Sequence, residues 1–532
     1  MRKLLRIRTC AILMALIVAM SAFTGCQSGS GDATSSSTTT TEASATSTGD
    51  GKLEPVTLEW YSFMNDQKDT DMVWQQALNP YIEEKINAKV NYHFFQWDDY
   101  ATKMSTMVGS GQPMDILAAV WYKYTFPNVA QQGVLAPIED LLETYAPNTY
   151  KLVPEALWKG VTVDNHILGI PAYKDSCQLP SFVWNKTFAD KLGVDPSKVE
   201  WGSLYDLLPT LYEASAKKDQ LFPEEKNIPI MDWDTTLNYY SPYETINGLA
   251  VANIPGIEAY AGKGTGETIF NVYDTEEFRK YAMTKKEMVE KNVYSYDGNQ
   301  FAGADTVRAE GKLFGYATMG LVSTDPKEFG PDSDMKLSNS KYVFTETSSP
   351  QASVQCISAT SKNKERALMF LDLVNTDSFV ATTLRFGIEG EHYKKTSDGL
   401  ISFEGTPRNG DPANRGYFHW YGWYFGSLFS SAIPEGNPAD LWDRLKSFNE
   451  KAIISDNMGF IFDTKPVTNE IAACTTVIDE YLPNLNAGKL KDVNANIDEF
   501  VAKLKASGSE KIVEEAQKQL NTWRASVGKT VK

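Results

Sequence analysis

Beyond about residue 53 the hydrophobic positions change period several times, and each change marks an element. Residues 56–61 (VTLEWY) have strand character. Within 71–89, Val73, Ala77 and Tyr81, together with Trp74, Leu78 and Ile82, recur every four residues. That spacing predicts a helix with one apolar face, and Pro80 inside it should kink or split it. Residues 90–95 alternate and read as a second strand, and 99–108 read as a helix stopped by Gly109-Ser110-Gly111. Residues 114–120 form a short apolar run suited to a buried strand. Short buried strands between helices indicate an α/β fold with a largely parallel sheet.

The first 51 residues carry none of these periods. Arg2, Lys3, Arg6 and Arg8 precede an apolar run over 11–20. That run is too short to span a hydrocarbon core, which takes roughly 20 residues, and the layout is that of a removable export signal. Phe23-Thr24-Gly25-Cys26 closes it and resembles a lipobox, with Phe23 where an aliphatic residue is usual. The resemblance implies cleavage before Cys26 and lipid (palmitate) on the new N-terminal cysteine; a secretory signal with a chance cysteine is the alternative. Each buried CH₂ adds roughly 0.8 kcal/mol, so two or more acyl chains anchor stably. Residues 27–51 are mostly Ser, Thr, Gly, Ala and Asp and read as a flexible spacer.

Loss of the leader's four positive charges takes the formal net charge from −17 to −21. So acidic a chain is a poor partner for nucleic acid or an anionic membrane surface. Roughly 480 residues follow the spacer, enough for two or three lobes. Cys177, Cys356 and Cys474 are widely separated and give neither a disulfide framework nor a zinc spacing, leaving a single bridge or buried free thiols. No later stretch is apolar enough to cross a membrane. Aromatic content is high, with 12 Trp and 26 Tyr; many belong to a core, and in an exported protein a surplus of such rings often lines pockets.

Six segments then occur in a familiar order. They are Gly109-Ser110-Gly111-Gln112-Pro113-Met114-Asp115; Gly133-Val134-Leu135-Ala136-Pro137-Ile138-Glu139-Asp140-Leu141; Leu168-Gly169-Ile170-Pro171; Val183-Trp184-Asn185-Lys186-Thr187-Phe188 with Leu192-Gly193; Ala309-Glu310-Gly311-Lys312 with Met319-Gly320; and 361–367 (SKNKERA) with Phe370-Leu371. Together they resemble the extracellular solute-binding proteins of family 1, the maltose-binding-like cluster that serves ABC importers. Residues 386–393 (FGIEGEHY) and the tail from about Tyr417, with Asp463-Thr464-Lys465-Pro466-Val467, resemble a lipoprotein subgroup with a C-terminal domain of unknown function.

The resemblance implies a two-lobed periplasmic-binding-protein-like fold (type II), with an interlobe ligand cleft and a largely helical C-terminal extension. Lobe one would hold 53–171 and 352–395, and lobe two 172–351 and 396–532, with the C-terminal domain from about 417. Chain crossings would lie near 171–183 and 348–357. It further implies a non-enzymatic monomer without a cofactor, held to the membrane through its lipid. That protein would capture a small-molecule ligand and deliver it to ABC permease subunits.

Ligands of open α/β folds sit at strand ends and the loops after them. On that pattern the candidates are Tyr61, Asn65 and Asp66 after the first strand; Trp121, Tyr122 and Tyr124 after the 114–120 strand; Tyr173 and Asp175 in the first crossing; Trp233 and Asp234 in lobe two; Glu389 in the subgroup motif; and Trp420 and Trp423 in the dense run 417–429 (YFHWYGWYFGSLF). The mixture suits a sugar. A pyranose stacks its axial C–H face on Trp or Tyr, while Asp, Glu and Asn fix its hydroxyls. Core packing is the competing reading for every aromatic, and the 417–429 run serves a core equally well.

Other motifs fail on their spacing. Gly262, Gly264 and Gly266 lack the strand and helix of a dinucleotide site. Asp492, Asn494, Asn496 and Asp498 mimic a calcium loop, but Ile497 replaces its glycine and Lys503 its glutamate, so a capped helix start fits better. His93, His166, His392 and His419 are scattered, and neither H-E-x-x-H nor G-x-S-x-G occurs. An extracellular glycoside hydrolase, which needs two carboxylates about 5–10 Å apart, and a peptide or other-solute receptor on the same scaffold remain as alternatives.

Overall fold

A computed structural model of the chain describes residues 53–63, 68–120, 124–177, 180–231, 243–246, 249, 253–255, 266–295, 307, 310–319, 335–339, 343–407, 417–419 and 421–531. The strands that position the site are β1 (Val56–Phe63), β2 (Ala88–Phe95), β3 (Ile116–Val120), β4 (Ile170–Pro171), β5 (Pro180–Asn185), β6 (Gly315–Met319), β7 (Met335–Asn339), β8 (Phe344–Thr345), β9 (Ser353–Ile357) and β10 (Ile453–Ile454). The helices used below are α1 (Asn79–Ile86), α2 (Trp97–Gly109), α3 (Lys364–Thr376), α4 (Ser378–Phe386), α5 (Leu441–Lys451), α6 (Thr468–Asn486), α7 (Val493–Ala506) and α8 (Ser509–Ser526).

Among the described residues one sheet has five strands in the order β2-β1-β3-β9-β4. β1 is parallel to both β2 and β3, and β9 is antiparallel to β3 and β4. All but β9 therefore point the same way, as the strand–helix alternation predicted. Helices cover both faces. Trp60 on one face packs against Phe370 of α3, and Phe63 on the other packs against Tyr100 of α2. A second sheet, β6-β5-β7, is antiparallel throughout, and Met231 adds a parallel bridge to Gly315.

The expected kink at Pro80 takes a specific form. A helical turn over Thr70–Val73 widens to a π-helix over Trp74–Leu78, where the Asn79 amide donates to the Trp74 carbonyl, and α1 follows. Pro80 cannot donate a hydrogen bond and its ring crowds the carbonyl four residues back, so the widened turn before it makes room without breaking the run. At Asp492 the carboxylate accepts from the Ala495 amide and caps α7, the reading preferred over a calcium loop.

Two hydrophobic cores follow the two sheets. The first surrounds Trp60, which is wholly buried, its indole donating to Gln355 Oε1 at 2.8 Å and its ring meeting Trp74, Tyr92, Phe370 and Phe425 at 4.9–6.1 Å. The second joins Trp184 and Trp201 to Leu485, Phe500 and Leu520 of α6, α7 and α8, so the C-terminal helices share one core with the second sheet. Tyr417, Tyr421 and Phe425, from a stretch expected in lobe two, pack in the first core instead. Cys177, Cys356 and Cys474 are buried free thiols. No helix among the described residues is long and apolar enough to cross a membrane.

His419 is buried, and neither ring nitrogen has a hydrogen-bond partner among the described residues. Tyr417 meets it edge-on at 4.7 Å and Tyr92 at 6.4 Å. Burial holds its pKa at about 3, against the usual 6.5. The unfolded chain therefore binds a proton below about pH 6.5 that the folded chain refuses until about pH 3. This stability is complete above pH 6.5 and drains by about 1.4 kcal/mol per pH unit as pH falls toward 3. Replacement His419→Phe should flatten the decline of the urea midpoint between pH 6.5 and 4; an unchanged slope would show that His419 does not report it. Replacement Trp60→Phe should cost about 2–3 kcal/mol in urea denaturation, because it empties part of the core and strands the Gln355 oxygen.

Candidate ligand-binding site

β1, β2, β3 and β4 all end at one edge of the first sheet, and Ser353, which opens β9, pairs there with Val120. The described parts of both crossings between the sheets, 172–177 and 343–352, leave or reach this edge. The chain returns across it at 421–428. Phe425 packs on Trp60 on one face and Tyr424 on Phe63 on the other, at 4.9 and 4.4 Å. The Tyr424 carbonyl accepts from Ser353 Oγ and from Gln355 Nε2. Tight passage here depends on Gly426 at φ 80°, where an added Cβ would run into the Tyr421 ring.

Aromatic hydroxyls gather beside this edge. Tyr100 donates to the Ala118 carbonyl at 2.6 Å and accepts from its amide at 3.1 Å. Tyr124 stands perpendicular to Tyr100 at 5.7 Å, and its buried hydroxyl has no partner among the described residues. Burial pushes Tyr124 and Tyr424 up to about 12 and raises Tyr100 well above the usual tyrosine value of 10. All three stay protonated; Tyr100 commits its hydroxyl to Ala118, Tyr100 and Tyr124 are buried, and Tyr424 is the half-buried ring of the group.

The crossings are held by the same returning segment. Tyr173 bridges Ser427 in parallel, its amide donating to the Gly426 carbonyl at 3.0 Å and its carbonyl accepting from Leu428 at 2.9 Å. The side chain of Asn449 on α5 donates to the Lys174 carbonyl at 2.6 Å and accepts from the Ser176 amide at 3.1 Å. At the second crossing β8 pairs in parallel with β10, and Thr347 Oγ1 donates to the Asn457 carbonyl at 2.9 Å.

The candidates named from the sequence fare differently. Asn65, Asp66, Trp121, Tyr122, Trp233, Asp234 and Trp420, like Cys26, lie outside the described residues; Phe63, Tyr124 and Met231 flank three of these segments. Tyr61 does not reach the edge. It is 4 % exposed, stacks on His93 at 4.5 Å, and has its hydroxyl raised by burial and by Glu59. Tyr173 is buried at the first crossing with its ring edge-on to Phe429. Asp175 is buried too, pairs with Lys174 at 2.6 Å, and is pushed up by desolvation in spite of that lysine.

Glu389 sits in a turn beside α1 and α4, paired with Lys395 at 2.7 Å. Trp423 packs, partly buried, on a small cluster of Leu400, Leu428, Ile433, Leu441, Trp442 and Leu445. The structure thus brings Tyr173 and Asp175 to the edge and leaves Tyr61, Glu389 and Trp423 in packing roles or elsewhere. Sequence reasoning missed Tyr100, Tyr424, Gln355 and Asn449. Tyr424 lay within the aromatic run, but nothing separated it from Trp423, and Asn449 has no local signal at all. No cluster of three or more His, Cys, Asp or Glu among the described residues could hold a metal ion.

Comparison with known proteins agrees with this architecture. A carbohydrate ABC transporter substrate-binding protein of Streptococcus pneumoniae is 28% identical over 456 residues, spanning 84% of this chain and 86% of the relative. The N-glycan transport solute binding protein (NgtS) of S. pneumoniae has a similar structure, with TM-score 0.73 and 24% identity over 88% of this chain and 99% of that one. In complex with Man1GlcNAc the same protein gives TM-score 0.68 at 24% identity over the same shares. The model for a domain of unknown function (DUF3502) matches residues 457–525. The bacterial extracellular solute-binding protein model matches residues 67–378, more than half of the chain, and the chain belongs to that family.

Proposed function

We propose that this chain is the substrate-binding receptor of an ABC importer and that it captures a carbohydrate, an oligosaccharide, between its lobes. The reading is carried by one observation: half-buried Tyr424 packs on Phe63 at the sheet edge where both crossings meet, backed by the buried rings of Tyr100 and Tyr124. Flat rings with neutral hydroxyls suit the apolar face and hydroxyl rim of a pyranose. The carbohydrate transporter named for the S. pneumoniae relative and the NgtS complexes with Man1GlcNAc and Man5GlcNAc support it. A member of a solute-binding family works by holding its ligand and is not an enzyme.

On this reading Asp66, Trp121, Tyr122, Trp233 and Asp234 supply further contacts, while Tyr173 and Asp175 hold the crossing. Lobe one takes 417–425 in addition to 53–171 and 352–395. Lipid on Cys26, with the 27–51 spacer, keeps this monomer at the outer face of the cell membrane beside its permease subunits.

The test is a thermal-shift screen over plant and host oligosaccharides, with the sugars recovered afterwards. At 100 times Kd a bound sugar stabilises by about 2.7 kcal/mol, a rise in Tm on the order of 5 °C. Tyr424→Ala should weaken that ligand tenfold or more, and the sugar should come back intact. Released products would make the chain a hydrolase, and a shift with peptides alone would overturn the carbohydrate reading.

A further inference from the structure

The 386–393 motif, which the sheet-edge site leaves unused, builds a second feature on lobe one. Gly387, at φ 86°, leaves room for His392, whose Nδ1 would lie 2.6 Å from an added Cβ. That nitrogen accepts from the Ile388 amide at 2.9 Å, and Gly390, at φ 89°, donates to the Tyr393 carbonyl. His392 is itself buried, with Nε2 3.6 Å from Asp69. The turn is therefore fixed from beneath, and it aims Ile388 and Glu389 at a cavity of about 350 Å³ between the Trp74–Leu78 π-helix, α1 and α4. This is near the lower end of small-molecule pockets.

The lining is specific. Tyr81 and Phe379 place their rings 4.5 Å apart on one wall, and Phe379 is 40% exposed. Tyr81 is held by its hydroxyl, which donates to Asp377 at 2.8 Å. Gln76, Glu84 and Glu389 supply its polar lining. Each of these carboxylates already has a cation beside it: Lys395 lies 2.7 Å from Glu389, and Lys85 lies 4.0 Å from Glu84. The lining therefore offers paired acceptors and donors with little net charge, beside an exposed ring. A cationic ligand or a basic peptide would have to displace those lysines. A neutral polyol uses both partners of each pair.

We propose that this cavity is a second carbohydrate site, taking one or two pyranose units on the Phe379 ring, with their hydroxyls on Glu389, Glu84 and Gln76. It does not rest on the sheet-edge reading, which stands or falls separately. The experiment is ¹⁹F NMR of the full chain carrying 4-fluorophenylalanine in place of Phe379, titrated with methyl α-D-mannopyranoside, methyl β-D-glucopyranoside and N,N′-diacetylchitobiose, and in parallel with choline and L-arginine. The expected result is a saturable shift with at least one sugar and none with the cations, weakened at least fivefold by Glu84→Gln with Glu389→Gln. Absence of a saturable shift with every sugar, a shift with choline or arginine instead, or a sugar response unchanged by the double replacement would overturn the proposal. The label reports only its own surroundings, so none of these outcomes bears on the sheet-edge site.

Discussion

Two short β-pairings tie the two sheets together: Tyr173 with Ser427, and β8 with β10. Each crossing strand is bound by backbone to one returning stretch, which runs from the sheet edge through α5 to β10 and then into the C-terminal helices. Asn449 and Asn457 reinforce it with side-chain and backbone bonds to Lys174, Ser176 and Thr347. Peptide hydrogen bonds of this kind fix register while leaving φ and ψ on either side free to change. A joint of this kind suits hinge closure.

The same stretch shapes the binding edge. Between its glycines it lays Tyr424 on one face of the first sheet and Phe425 on the other, so the residue nearest the strand ends comes from the far end of the sequence. One piece of backbone therefore serves both the crossings and the sheet edge. The C-terminal helices share a core with the second sheet. The domain matched over 457–525 is thus an integral part of one lobe rather than an appendage.

The first strands of lobe one were legible from local pattern: β1, β2 and β3 appear within two residues of where strand composition, alternation and a short apolar run respectively placed them. The ordered motifs pointed to the family now matched over 67–378. The site was less legible. Along β1 successive residues face opposite ways, and the pattern alone does not say how far a ring stands from the strand end; Tyr61 stacks on His93 while Phe63 reaches Tyr424. The partners of Tyr173 and Phe344 lie more than a hundred residues away, and no local spacing announces them. The 417–429 run concealed two roles in adjacent residues, because Trp423 faces a small cluster beside α5 and Tyr424 faces the edge.

The central claim is that lobes joined at these pairings close on a glycan. With Cys10 and Cys26 replaced by serine, and Cys177, Cys356 and Cys474 buried, spin labels can be placed selectively on Lys151→Cys and Lys191→Cys, both exposed and on opposite sides of the first crossing. Distances between them, measured by double electron–electron resonance with and without an oligosaccharide that raises Tm, test the claim directly. The account predicts that the sugar moves the pair to a second, narrower distribution. An unchanged distribution at saturating sugar would contradict it.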